Sequence, residues 1–133
     1  MPSRRKDLIL LNVGLVFLGG GLGAAVRYGM YGAVQRWTGS TFPYGTFTVN
    51  ALGCLVIGLL MASMEERFLI NPSLRLFLTL GILGGFTTFS TFSYETVAML
   101  RDAEYFYAAM NICMTFITCI AATYVGTVVG KFL

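Results

Sequence analysis

The sequence predicts an all-α membrane protein with four transmembrane helices. Of its 133 residues, 56% are hydrophobic and only 11% are charged, which is far too apolar for a soluble domain of this size. Four stretches also lack Asp, Glu, Lys and Arg over roughly the 20 residues that are needed to cross a hydrocarbon core. These stretches are residues 8–26, 37–64, 76–94 and 105–130. Residues 1–133 are therefore expected to form a single transmembrane domain in the lipid bilayer.

The first stretch has a competing interpretation as a secretory signal. A basic run, Arg4-Arg5-Lys6, precedes it, and such a run before an apolar segment is typical of signal peptides. A removable peptide would not explain Arg27 beyond the apolar stretch, so we expect a first membrane helix. Its small residues around Gly19 and Gly23 would let another helix approach closely.

Three short polar connections separate the four stretches, at residues 38–43, 65–73 and 101–104. Pro43 is expected near the start of the second helix, where a missing N–H costs nothing. Four crossings place both termini on one side of the membrane. Because four helices of one chain enclose little volume, we expect the chain to dimerise.

The third stretch contains the most informative run, residues 84–93. Gly84 and Gly85 weaken a helix, and the five hydroxyl residues and three phenylalanines that follow are too polar for ordinary lipid-facing surface. Broken backbone at membrane depth is tolerated only where it is buried or lines a wet cavity. We therefore predict a broken third helix that lines a path for a small polar species. At a spacing of three, Phe86, Phe89 and Phe92 would share one helix face.

The composition argues against enzymes and nucleic-acid binders. The chain has no histidine, and its three cysteines show no metal-ligand spacing, which argues against zinc, haem and histidine-based nucleophilic chemistry. No phosphate-binding glycine loop is present. The formal net charge of +3 comes from flanks and loops and reflects membrane orientation.

Polar residues within the spans are the functional candidates. Asn50, Asn111 and Thr115 could simply form hydrogen bonds between helices, at about 0.6 kcal/mol each, and Arg27 could snorkel to the interface. Alongside the hydroxyl-rich run, they favour a shared polar track. A guanidinium at a water-filled vestibule attracts anions, and the electropositive edge of an aromatic ring can solvate an anion without trapping it.

Three motifs on successive helices together resemble the Fluc/CrcB family of fluoride channels. They are Gly20-x-x-Gly23-Ala24-x-x-Arg27, then Gly45-Thr46-x-x-Val49-Asn50, then Gly84-Gly85-x-Thr87-Thr88-Phe89-Ser90-Thr91-Phe92-Ser93-x-Glu95. The resemblance covers essentially the whole chain. It implies passive export of toxic fluoride across a prokaryotic plasma membrane by an antiparallel, dual-topology dimer with two pores.

The resemblance also implies roles for individual residues. Main-chain carbonyls of Gly84 and Thr87, with their symmetry mates, would hold a structural sodium ion that is not transported. Ring edges of Phe89 and Phe92 would contact fluoride, and Asn50 would donate a hydrogen bond to it. The other residues expected along the pore are a hydroxyl ladder of Thr88 and Thr91 with Ser90 and Ser93 as weaker members, the vestibule Arg27, the carboxylate Glu95, and Asn111 and Thr115 in the fourth helix.

The distribution of basic residues leaves the type of dimer open. A dual-topology homodimer needs little Lys/Arg bias between the two sides. Here only Arg36 and Arg101 clearly face the side opposite the termini, whereas the terminal side carries Arg4, Arg5, Lys6, Arg67, Arg75 and Lys131. A homodimer remains the expectation, with a heterodimer formed with a paralogue as the alternative.

Two other classes of protein compete with a channel. A small four-helix multidrug exporter needs a membrane-embedded carboxylate for proton exchange, yet the first helix has none and Glu95 is the only carboxylate near a span. A structural or assembly subunit would leave the Phe/Thr/Ser run without a purpose.

Overall fold

The computed structural model describes residues 2–67 and 71–133, and every regular element among them is helical. Helix α1 is Pro2–Thr38, α2 is Tyr44–Arg67 and α6 is Tyr105–Gly130. Between α2 and α6 lie α3 (Pro72–Leu76), a π-helical segment (Phe77–Leu83), α4 (Gly84–Phe86) and α5 (Phe89–Arg101). The described residues form four helical spans long and apolar enough to cross a membrane, namely Arg4–Thr38, Tyr44–Glu65, Pro72–Arg101 and Tyr105–Gly130. The predicted all-helical, four-span architecture is confirmed.

The fourth helix has the predicted bounds, but the first two do not. Helix α1 continues through Arg27 to Thr38, because a charged residue does not by itself end a helix, and its 37 residues make it about 55 Å long. Trp37 therefore belongs to α1 rather than to the second span. The chain turns at Gly39, whose φ is 59°, and α2 begins only at Tyr44, directly after Pro43.

The remaining two connections are set by local capping. Helix α2 extends to Arg67, and residues 68–70 of the predicted second connection lie outside the described residues. Asn71 caps α3, since its side-chain oxygen accepts a hydrogen bond from the Ser73 N–H at 2.9 Å, and Pro72 occupies the first turn. After α5 ends at Arg101, Ala103 adopts a positive φ of 61° and the chain reverses into α6.

The helices pack as two parallel pairs through backbone contacts at glycines. Helix α2 runs along α6, where a Cβ on Gly58 would meet the carbonyl oxygen of Thr123 and one on Gly126 would meet that of Leu55. Helix α1 runs along the third span in the same manner, and a Cβ on Gly85 would meet the Gly20 carbonyl oxygen. Side chains at these glycines would hold the pairs apart.

The third span leaves helical geometry two residues after the paired glycines, at Thr87 and Thr88. Gly84 has helical dihedrals (φ −62°, ψ −37°) and begins α4, so the predicted interruption at Gly84-Gly85 is wrong in its position. Thr87 (φ −82°, ψ 158°) and Thr88 (φ −152°, ψ 114°) are extended. Gly85 packs closely against α1. Side chains from other helices instead form hydrogen bonds with the extended residues Thr87 and Thr88.

Candidate functional site

Asn50 holds the extended backbone at Thr88. Its side-chain Nδ2 donates to the Thr88 carbonyl oxygen at 2.9 Å, and its Oδ1 accepts from the Thr88 N–H at 2.8 Å. This pairing reproduces the two hydrogen bonds that a neighbouring strand would supply to an extended residue. It gives the Thr88 N–H an acceptor that an N-cap residue does not find within its own helix. One Nδ2 hydrogen remains for another acceptor. Asn50 therefore orients the break and still keeps a donor.

Arg27 contacts the other extended residue. Its Nη1 donates to the Thr87 carbonyl oxygen at 3.3 Å, which is longer than a typical N–H···O bond. The guanidinium also lines a cavity of about 220 Å³ together with Tyr31, Thr88 and Thr91. The Arg27 charge thus lies at a cavity beside the break, rather than pointing into lipid.

A larger groove of about 660 Å³ is also lined by Thr88. Most of its surface is apolar. It is lined by Asn50, Gly53, Cys54, Ile57, Thr79, Leu83, Gly84, Thr87, Thr88, Phe89, Phe92, Ile112, Thr115, Phe116, Cys119 and Ile120. Thr88 lines both this groove and the Arg27 cavity, so the residue that Asn50 holds forms part of the wall of both spaces.

Phe89 and Phe92 form a ring pair at the wall of the groove. Their centroids are 5.5 Å apart with the planes tilted by 43°, and Phe89 is 78% exposed. Phe86 does not extend this pair as predicted. It is buried at 8% exposure and lies in α4, and the extended residues between Phe86 and Phe89 destroy the spacing of three that a continuous helix would give.

The hydroxyl groups after the break are linked to one another. The Thr88 Oγ1 accepts from the Thr91 N–H at 3.2 Å and caps α5, and it donates to the Thr91 Oγ1 at 3.0 Å. The Ser90 Oγ lies 3.3 Å from the same Thr88 oxygen. With the Thr88 proton engaged in this way, the hydroxyl proton of Thr91 is directed elsewhere. Ser93 is half-buried and does not line either of the two spaces.

Glu95 and Thr46 form a polar pair near the ring pair. The Thr46 hydroxyl donates to the Glu95 Oε1 at 2.8 Å, and Oε2 is buried without a hydrogen-bond partner among the described residues. Thr46 is 2% exposed and also lines the Arg27 cavity. It was not among the predicted site residues, although its position one turn before Asn50 on the same helix face could have indicated it.

Helix α6 contributes two polar residues in different environments. Thr115 lines the large groove. Asn111 is 1% exposed, and its Nδ2 donates to the Thr96 Oγ1 at 3.0 Å, which ties α6 to α5. The two side chains are linked only by a long bond of 3.4 Å from the Thr115 hydroxyl to the Asn111 Oδ1. Sequence reasoning did not single out Thr96, because its partner lies on a different helix.

The fold and this site define a class, that of small multi-pass membrane proteins with a non-helical break flanked by aromatic, amide and hydroxyl groups. Residues 14–127 match the family model described as "CrcB-like protein, Camphor Resistance (CrcB)". The chain belongs to the CrcB family, and the resemblance predicted from its motifs is confirmed.

Curated relatives span nearly the whole chain. A protein of Geobacter metallireducens is 44% identical over 124 residues, covering 93% of this chain and 100% of the relative. One of Geotalea uraniireducens is 46% identical over 86% of this chain and 92% of the relative. One of Coxiella burnetii is 41% identical over 92% of this chain and all of the relative. Each is named a fluoride-specific ion channel FluC.

Proposed function

We propose that this protein is a fluoride channel of the cell membrane, through which fluoride leaves the cell passively. The observation that carries the proposal is the position of Thr88, which lines both the Arg27 cavity and the large groove, beside Asn50 and the Phe89–Phe92 pair. Relatives named as fluoride-specific channels over 86–93% of the chain support it. Membership of their family also confirms that the chain is not an enzyme.

The chemistry of the lining suits a small, strongly hydrated anion. Such an ion needs hydrogen-bond donors in place of water, and the Thr91 hydroxyl and the free Nδ2 hydrogen of Asn50 can supply them. The Thr115 hydroxyl can join them once it gives up its long bond to the Asn111 Oδ1. Conduction also requires that no site bind too tightly. Neutral donors and the ring edges of Phe89 and Phe92 meet this demand, and Arg27 would attract anions to the entrance.

The pathway needs a second copy of the chain. The groove is open along one side and exposes most of Phe89, so a single protomer would expose a conducting ion to lipid, where a bare charge is costly. An antiparallel partner seated on this face would cover both grooves at once, and this gives two pores per dimer. A homodimer is the simplest assembly, and a paralogue of opposite orientation is the alternative.

A structural sodium ion at the dimer centre is consistent with the oxygens available at the break. Main-chain carbonyls are hard ligands, and the described residues contain no cluster of three or more acidic, histidine or cysteine side chains that would favour another metal. Among the described residues, the Thr87 oxygen accepts only the long bond from Arg27 and retains a second lone pair. Gly84 is exposed, and a Cβ there would meet only the Thr79 oxygen at 3.7 Å, so another chain can approach. Gly84 and Thr87 of two copies would hold the ion, whose role is to neutralise their carbonyls.

A liposome flux assay distinguishes this function from its rivals. Vesicles containing the purified protein are loaded in parallel with fluoride and with a fluorescent lipophilic cation under a pH gradient. A channel releases fluoride once a potassium ionophore balances the charge, and it leaves the cation unaffected. Proton-coupled loss of the cation would identify an exporter, and loss of neither solute would identify a structural subunit.

A further inference from the structure

Two cysteines face each other across the seam between α2 and α6. Cys54 lies one turn before Gly58, and Cys119 lies one turn before Thr123. Because a Cβ on Gly58 would meet the Thr123 carbonyl oxygen, the two parallel helices nearly touch at that level. A cysteine one turn earlier on each of these parallel helices is brought to the same height.

Both thiols are accessible from the same spaces. Cys54 and Cys119 are free and half-buried, and both line the large groove and an adjoining cavity of about 440 Å³. Cys54 lies one turn beyond Asn50, and Cys119 lies one turn beyond Thr115. The proposed fluoride path makes no use of either sulfur.

We propose that Cys54 and Cys119 form a binding site for a soft, two-coordinate metal cation of the mercury(II) type. Two facing sulfurs without further ligands match the linear geometry that such ions prefer, and sulfur is the ligand that selects them. With uncharged mercuric chloride as the reactant, two S–H bonds break and two Hg–S bonds form. Two protons and two chloride ions are released, so no oxidant is required.

The third cysteine provides a matched control. Cys113 is on α6, the same helix as Cys119, but it is exposed and lines neither space. A metal ion bound there has one protein sulfur only. Two sulfurs acting together hold the ion more tightly than one, by a factor of about 100 or more in effective affinity.

The test is a thiol count on the purified full-length protein with one equivalent of mercuric chloride. The Cys113→Ser variant should have both remaining thiols blocked by a single metal ion. Cys54→Ser and Cys119→Ser should each release the metal at about 100-fold lower concentrations of a competing monothiol such as 2-mercaptoethanol. The site does not exist if either single variant retains mercury as tightly as Cys113→Ser, or if the loss of Cys113 alone abolishes tight binding.

Fluoride flux provides a second readout, which rests on the proposed function. Mercuric chloride should reduce flux through Cys113→Ser and leave flux through Cys119→Ser close to that of the same variant without metal. Equal inhibition of both would contradict a link between this site and the pore. If no fluoride flux is seen before metal is added, the proposed function is contradicted. The thiol count would still show whether Cys54 and Cys119 bind the metal.

Discussion

Asn50 holds the backbone at Thr88, and we propose that it also donates a hydrogen bond to the ion. Its amide bonds to both the N–H and the C=O of Thr88. A buried backbone group left without a partner costs about 1–3 kcal/mol. A purely structural role, in which an Asn side chain joins two helices, describes Asn111 better, because that side chain is buried and bonded to Thr96. The two asparagines should therefore respond differently to truncation.

We predict that Asn50→Ala lowers fluoride flux more than Asn111→Ala, when flux is expressed per correctly folded dimer. Asn50→Ala removes both constraints on Thr88 and the donor beside it, whereas Asn111→Ala should act mainly through a stability loss of about 1–3 kcal/mol. Flux from liposomes and thermal unfolding of the same preparations give the two quantities. The reverse order of flux would show that the pore-side role belongs to Asn111.

Replacing either ring of the Phe89–Phe92 pair by isoleucine should reduce flux by up to about tenfold, because an aliphatic side chain has no electropositive edge. The dimer should still form. Phe17→Ile is the matched control, since Phe17 is 79% exposed on α1, away from the groove. Wild-type efflux in both Phe89→Ile and Phe92→Ile would rule out the role assigned to the rings.

At the scale of the elements, the break depends on the fit between α2 and the third span. A Cβ on Gly53 would meet the Thr87 methyl group, and it would lie 3.3 Å from the Phe86 ring. Gly53 thus leaves room for the chain to leave α4 at Thr87, the residue whose carbonyl oxygen Arg27 contacts.

Gly53→Ala should consequently displace Thr87, cost about 1–3 kcal/mol of stability by overpacking, and impair flux. Gly14→Ala is the control, because a Cβ there meets nothing within 4 Å, and it should be neutral or slightly stabilising. Thermal unfolding and flux of the two variants provide the comparison. Indistinguishable results would mean that the position of Thr87 does not depend on α2.

The four membrane spans could be predicted from the sequence, but the position of the non-helical break in the third span could not. Apolar runs bounded by polar connections locate the four helices, since crossing a bilayer requires such runs. The pair Gly84-Gly85 predicts an interruption of the third helix, yet Gly85 lies within helical backbone and lets that helix pack closely against Gly20. The actual break at Thr87 and Thr88 is supported by Arg27 and Asn50 from two other helices, and such long-range partners leave no local signal.

The roles predicted for the candidate site stay predictions, but the structure shows which of the predicted residues lie together. Asn50, Phe89, Phe92 and Thr115 do line one groove. The pairing of Thr46 with Glu95 and that of Asn111 with Thr96 depend on how the helices pack. No spacing along the chain could have indicated those two pairs.

For the whole molecule, we predict that dimer stability falls when sodium is replaced by a large organic cation. A ligand present at 100 times its dissociation constant stabilises the bound state by about 2.7 kcal/mol. Thr87→Ser should keep this dependence, since the proposed ligand is the main-chain oxygen. Subunit exchange measured by fluorescence energy transfer reports the change, and equal exchange rates with and without sodium would exclude the ion.

The most direct test of the central claim is the rate of fluoride and of chloride efflux from liposomes that contain only this purified chain. A potassium ionophore balances the charge, and an ion-selective electrode follows each anion. We expect rapid fluoride efflux, and chloride efflux no faster than from protein-free vesicles. Fluoride efflux at the protein-free rate would contradict the claim that copies of this chain alone form a fluoride pathway, and equally fast chloride efflux would contradict its selectivity.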